Sequence, residues 1–286
     1  MSTETAGRQI MGDTPPEAKA PLSRVDEMSF LDHLEELRWR IIKGMVGVLL
    51  GVIVAFTFSK FFIDEILLGP AYSDFFMYTL FGYDAVDLVF QNRTLPGQFF
   101  TYWGTLLVVG FIMGAPILIY QMWLFVEPAL ERGEKSKTRF VAFFISALFL
   151  TGVAFGYLIL TPFALQFFTQ FQISDAVRND FDINAYFSSL TLWVIACGII
   201  FQLPMVSFGL SKIGLLTPEF LIKHRKVAIV VCFILAAFIT PPDPVSQFLV
   251  AIPLLVLYQF SIYISRITVR RRNREIWGKN GPPGEK

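Results

Sequence analysis

Histidine and cysteine are almost missing from this chain of 286 residues, which holds two of each. Cys197 and Cys232 fall inside apolar runs without metal-ligand spacing, so neither a disulfide framework nor a zinc site is expected. His33 and His224 stand near opposite ends of the sequence, and no HExxH, GxSxG or Walker-type loop occurs. Catalytic chemistry therefore has no visible carrier; the chain reads as a non-enzyme with no cofactor. Charge is also scarce: Asp, Glu, Lys and Arg make up 16% of the residues and leave a net charge of +1. Soluble domains carry roughly 25%. The first 27 residues are polar and contain proline, without the basic start and short apolar core of a secretory signal. They are expected to form a disordered tail.

What the chain has instead is grease. Hydrophobic residues account for 54% of it, with 31 phenylalanines and a mean hydropathy of +0.57. Six apolar segments, at about 41–62, 100–122, 139–160, 190–211, 226–240 and 245–265, can be compared with the roughly 20 residues a helix needs to cross the hydrocarbon. The fifth, VAIVVCFILAAFIT, spans only about 22 Å at 1.5 Å per residue before TPPDP cuts it off. Such a helix needs locally thinned bilayer or adjoining water. Pro116, Pro204 and Pro253 fall inside apolar runs and would free backbone carbonyls there. The expected fold is an all-α polytopic membrane protein: six transmembrane helices, kinked and curved into a concave bundle, with a short fifth span. Residues 28–268 form this membrane domain and 269–286 a basic tail.

Sorting the charges by connecting segment gives an orientation. Arg132, Lys135, Lys137 and Arg139 lie between spans two and three, Lys212, Lys223, Arg225 and Lys226 between four and five, and Arg266, Arg270, Arg271, Arg272 and Arg274 at or after the end of span six. The alternate connections are nearly bare of basic residues: 63–99 has only Arg93 and 161–189 only Arg178. The positive-inside rule places both termini in the cytoplasm. The arginine cluster after span six follows from that rule or from anionic headgroups and gives no reason to invoke nucleic acid. The Asn92-Arg93-Thr94 sequon is read as a chance match.

Ionised groups crowd the first span. In FLDHLEELRWRI, residues 30–41, Phe30, Leu31, Leu34, Leu37 and Ile41 make one apolar stripe of a helix, while Asp32, Glu36 and Arg40 fall on another face. Ser29 and Asp32 match a helix capping box. Spacing alone allows Glu36 to be nothing more than the i,i+4 partner of Arg40. Glu127, Glu131 and Glu134 could likewise balance Arg132, Lys135 and Lys137 on a solvated loop.

His33-Leu34-Glu35-Glu36-Leu37-Arg38 matches the HLxELR signature of TatC, the multispanning receptor subunit of twin-arginine protein translocases. The stretch from Ala115 to Trp123, then Phe125-Val126-Glu127-Pro128-Ala129-Leu130 and Glu134, resembles that family's second span and first cytoplasmic loop. Thr240-Pro241-Pro242-Asp243, Ser246-Gln247 and Ala251-Ile252-Pro253 resemble its last outer turn and sixth span. The resemblance covers residues 29 to about 268 in order.

It implies a plasma-membrane receptor that binds twin-arginine signal peptides of folded precursors. Such a receptor recruits TatA- and TatB-like single-span subunits, works as an oligomer in membrane lipid and draws on the protonmotive force. Carried over by position, Glu36 and Glu134 match the carboxylates that read the arginine pair, with Glu127 and Phe125 beside them. Two departures stand out. The outer loop 63–99 is longer than usual, and Gln202 stands where many relatives carry a glutamate. Gln202 reads equally well as an amide linking helices or as the lining of a water-filled cavity. The competing function is a small-solute secondary transporter, for which the sequence offers neither an internal repeat nor a charged residue at mid-span.

Overall fold

The computed structural model describes residues 30–82, 87–130, 135–174, 176, 179–240 and 243–277, with backbone alone at 30–33, 126–130, 135–140, 272 and 274–277. The described residues are mostly helical, as their periodicities predict, with one short strand pair among the connections. In order come α1 (Phe30–Thr57), α2 (Phe76–Phe81), α3 (Gly97–Leu130), α4 (Lys135–Phe155), α5 (Thr161–Gln170) and α6 (Ile183–Ile200). Then follow α7 (Leu203–Lys212), α8 (Pro218–Lys223), α9 (Arg225–Ile239) and α10 (Pro244–Trp277). The Ser29 cap and the expected tail 1–27 lie outside the described residues.

Five helical segments among the described residues are long and apolar enough to cross a membrane: Leu34–Thr57, Gly97–Phe125, Val141–Gln170, Ile183–Lys212 and Pro244–Arg271. The remaining expected span is α9, whose 15 residues reach about 22 Å. It is as short as its sequence suggested.

Three features depart from the expected helices. The fourth span is two helices, because Gln202 to Met205 form a tight turn: the Gln202 N–H donates to Ile199 O, and the Met205 N–H to Gln202 O. Pro204 has no N–H to give and is well placed in the first turn of a new helix, so α7 restarts there. Pro116 and Pro253, by contrast, do not interrupt their helices, which run on through both positions. Finally, α10 continues to Trp277, past the expected domain boundary at 268; good helix formers fill that stretch, and Gly278 follows it.

The tightest contact is between α1 and α3. A Cβ on Gly110 would stand 2.4 Å from Val52 Cα, one on Gly114 2.4 Å from Val48 Cα, and one on Gly51 2.3 Å from the Gly110 carbonyl oxygen. Glycine spacing of four on both helices lets the backbones touch, as is common in membrane helix pairs. Beyond the C-terminal end of α1, residues 61–71 form a π-turn (Phe61–Leu67) and a 3-10 turn (Gly69–Ala71) pinned by three tyrosines. Tyr186 donates to Leu67 O at 2.6 Å, Tyr78 to Pro70 O at 2.5 Å, and Tyr157 to Ile66 O. Burial pushes the Tyr78 phenol up from its ordinary range. Strand β1 (Phe90–Gln91) pairs in parallel with β2 (Phe181–Asp182), tying the long outer loop to the start of α6.

The turn before α10 is held by Asp243. Its Oδ2 accepts from the Ser246 N–H at 2.8 Å, while its buried Oδ1 has no partner. Apolar packing then divides by depth. Ala55, Leu106, Val109, Phe187 and Leu190 pack under the outer loop. Trp193, Cys197, Cys232, Ala236, Val250 and Leu254 join α6, α9 and α10. Both cysteines are free and buried.

Candidate peptide-reading site at the α1 and α3 ends

On the first helix Glu36 and Arg40 are half-buried, eight and four residues before the buried Gly44 that meets α3, whereas Leu34 and Ile41 of the apolar stripe are exposed. Arg40 donates through Nε at 2.9 Å and through Nη2 at 2.5 Å, both to Glu36 Oε1. Side-chain exposure is 22% for Arg40 and 25% for Glu36, so the pair is partly withdrawn from water. Glu36 Oε2 takes part in neither bond. The local ion pair allowed by the i,i+4 spacing therefore forms, yet it uses only one of two carboxylate oxygens.

What lies opposite follows from the helix register. Gly44 meets Leu118, Val48 meets Gly114, and Val52 meets Gly110, so each four-residue step along α1 matches a four-residue step back along α3. Both helices continue unbroken toward the same end. Two further steps put Arg40 level with Met122 and Glu36 level with Val126. Phe125 and Glu127 thus share a level with Glu36. Phe125 is half-buried; the Glu127 side chain and the whole of Glu134 lie outside the described residues.

Beneath this level sits a residue the sequence reading did not single out. Trp123 is 9% exposed and packs against Ala142 and Ile145, with its rings 6.0 Å from Phe208. Its indole N–H is buried without a partner. Leaving such a donor unpaired costs about 1–3 kcal/mol. The only sequence signal was the aromatic itself, at a helix end where tryptophan is ordinarily read as an interface anchor.

Gln202 is elsewhere, in the break between α6 and α7, where its Nε2 donates to Ile145 O of α4 at 3.2 Å. Of the two readings open to it, this contact is the helix-linking amide. The break is flanked by Phe201, 8% exposed and 5.6 Å ring to ring from Phe155. Among the described residues no group of three or more His, Cys, Asp or Glu could hold a metal ion.

These positions can be set beside known proteins. The family described as "Sec-independent protein translocase protein (TatC)" matches residues 32–253. The chain belongs to the TatC family. It is 39% identical over 254 residues to a TatC of Blattabacterium sp. subsp. Periplaneta americana, covering 84% of this chain and 96% of that one. With a TatC of Aquifex aeolicus it shares 36% over 248 residues, or 86% and 98% of the two chains. A crystal structure of the twin-arginine translocase receptor TatC superposes with a TM-score of 0.66 at 36% identity, covering 82% of this chain and 99% of that one. As a TatC, the protein is the receptor subunit of the Sec-independent, twin-arginine translocase and a multi-pass membrane protein. The small-solute transporter reading finds no support in these comparisons.

Proposed function

We propose that this TatC reads the two arginines of a signal peptide with Glu36 and Glu134, assisted by Glu127 and Phe125, at the cytoplasmic side of a plasma membrane. The observation that carries the reading is the register of α1 against α3. It puts Glu36 level with Phe125 and Glu127, at the end of the helix pair from which the Glu134 loop departs. A guanidinium presents a planar fork that fits a carboxylate bidentately, so two separated carboxylates can count two arginines. Partial withdrawal from water strengthens each pair, while solvent at headgroup level leaves the peptide releasable.

The wider reading has six spans, α9 being the short fifth, with both termini in the cytoplasm and the basic connections on that side. TatA- and TatB-like single-span subunits join the peptide-loaded receptor in an oligomer, and the protonmotive force drives passage of folded cargo. Support comes from the family match and from the distribution of lysine and arginine along the chain.

Binding of a labelled twin-arginine peptide to detergent-purified variants tests the site, with a twin-lysine peptide as control. Glu36→Lys and Glu134→Lys replace attraction with repulsion and abolish binding while the protein still inserts and folds. The Glu→Gln variants lose about 1–3 kcal/mol, the value of a charged hydrogen bond. Glu131→Gln, in the same loop, binds like the wild type. Normal binding by both lysine variants would place the recognition site elsewhere.

A further inference from the structure

Gly110 and Gly114 bring α3 against α1, but a third glycine of the same helix serves no such contact. A Cβ on Gly104 would meet nothing within 4 Å, although glycine inside a helix is less stable than alanine. The open space is a groove of about 800 Å³ between the first turns of α3 and α6. That volume lies within the range of about 300–1,000 Å³ usual for ligand sites. Thr94, Thr101 and Asn184 stand at one end of it. Phe100, Val108, Leu192 and Ile195 make apolar walls, Thr105, Ser188 and Thr191 add hydroxyls, and none of the described residues lining it is charged.

Most of these polar groups are already used. Thr101 donates to Asn184 Oδ1 at 2.5 Å, Asn184 Nδ2 donates to Asp182 Oδ1 at 3.0 Å, and Thr191 donates to Phe187 O at 2.7 Å. Two hydroxyls are left over: neither Thr105, which is 5% exposed, nor the exposed Ser188 makes a side-chain hydrogen bond among the described residues. They stand level with each other. The parallel strands β1 and β2 precede α3 and α6, the Thr101–Asn184 bond sets the register, and Thr105 and Ser188 each follow one helical turn later. Their depth follows from length. The candidate span Gly97–Phe125 has 29 residues, or about 43 Å, against a hydrocarbon core of about 30 Å. Centred on that core, it crosses the boundary about four residues from each end, at the level of Thr101. Exposed Phe99, Phe100, Tyr102 and Trp103 gird the same level, as aromatic residues do at membrane interfaces.

We propose that the groove holds one phospholipid of the leaflet at this end of the bundle, with acyl chain against Phe100, Val108, Leu192 and Ile195 and its two ester carbonyls accepting from Thr105 and Ser188. Phospholipid esters sit at the hydrocarbon boundary and bring acceptors without donors of their own. A second membrane helix answers these hydroxyls less well, because its backbone carbonyls are taken up by its own hydrogen bonds. With no charge along the groove, the site reads ester and chain and not the headgroup. The inference stands independently of any role of Glu36 in reading peptides; the proposed orientation decides only that the leaflet is the outer one.

The test is native mass spectrometry of the full-length protein, extracted with an alkyl maltoside from vesicles holding dioleoyl phosphatidylcholine and dioleoyl phosphatidylglycerol in equal amounts. The wild type retains one phospholipid per chain, of either headgroup alike. Gly104→Leu, whose Cβ meets no atom, fills the groove and loses the lipid without lowering the thermal midpoint. Thr105→Val keeps the shape, removes the donor and lowers retention about fivefold, whereas Thr105→Ser, which keeps the donor, retains the lipid. Leu49→Phe, at an exposed position of α1, leaves retention unchanged. A wild type stripped of lipid by the detergent, or full retention by Gly104→Leu, would overturn the site, and full retention by Thr105→Val would overturn the ester contact. A wild-type dimer that Gly104→Leu dissociates, with the lipid count unchanged, would make the groove an interface between copies and overturn the lipid as its occupant.

Discussion

If Glu36 reads a peptide arginine, Arg40 already occupies part of that carboxylate, and removing Arg40 should tighten binding. Both hydrogen bonds from Arg40 converge on Oε1, at 2.9 and 2.5 Å. An incoming guanidinium can use Oε2 at once, but a bidentate pair requires Arg40 to swing away. Exposed i,i+4 ion pairs are worth about 0.3–0.5 kcal/mol, and partial burial of both groups raises this toward 1 kcal/mol. A resting pair of about 0.5–1 kcal/mol lowers the apparent peptide affinity by about three- to sixfold. Arg40→Gln, which keeps helix propensity, is therefore expected to tighten twin-arginine peptide binding by that factor. The salt dependence of binding also steepens, because the competing internal pair no longer weakens in parallel. Fluorescence anisotropy of a labelled signal peptide against purified protein at two ionic strengths measures both quantities. Unchanged or weaker binding by Arg40→Gln, with insertion and helicity intact, would refute the competition and leave the Glu36–Arg40 bond a purely local brace.

Two further expectations concern the scaffold. Gly110→Val puts a branched side chain where even a Cβ would stand 2.4 Å from Val52 Cα, so α1 and α3 must part; overpacking of this kind costs about 1–3 kcal/mol, read as a lower thermal midpoint in detergent and weaker peptide binding. Inserting four or five leucines between residues 228 and 238 lengthens α9 by about 6–8 Å and removes its mismatch with the bilayer; if the short helix thins the membrane for cargo, transport falls while insertion and peptide binding persist, and undiminished transport counts against thinning here.

Local signals in the sequence carried far, and long-range ones did not. Apolar runs located the five long candidate spans because hydrocarbon imposes its length on whatever crosses it, and the 15-residue α9 was already short by arithmetic. The Glu36–Arg40 bond was legible because its partners are one helical turn apart. Pro204 reads from the sequence as a mid-helix kink but begins a new helix; the distinction depends on Gln202 and Phe201 finding partners in α4, Ile145 and Phe155, which periodicity does not report. The outer loop was illegible for the same reason: Tyr186 and Leu67 are 119 residues apart, and Gln91 and Asp180, which bond at 2.8 Å, are 89 apart. At the candidate site, Phe125 and Glu36 are joined only by the α1–α3 register, itself set by glycines whose role shows once two backbones touch.

The distribution of carboxylates constrains how a protonmotive force could act on such a subunit. The candidate spans Gly97–Phe125, Val141–Gln170, Ile183–Lys212 and Pro244–Arg271 contain no Asp or Glu, and neither does α9. In α1 the acidic residues stop at Glu36, before the glycine-lined stretch that packs on α3. Gln202 stands in the broken fourth span with its amide committed to Ile145 O, and an amide does not titrate at any physiological pH. No carboxylate in these segments is therefore available at mid-membrane to take up and release a proton. Under the proposed function, proton-linked work must be done by groups at the two faces, by partner subunits, or by the field acting on charges that move through the membrane. A break in the fourth span then serves to hold geometry: α6 and α7 meet at a fixed turn, latched to α4 by a bond whose strength is the same on either side of a proton gradient.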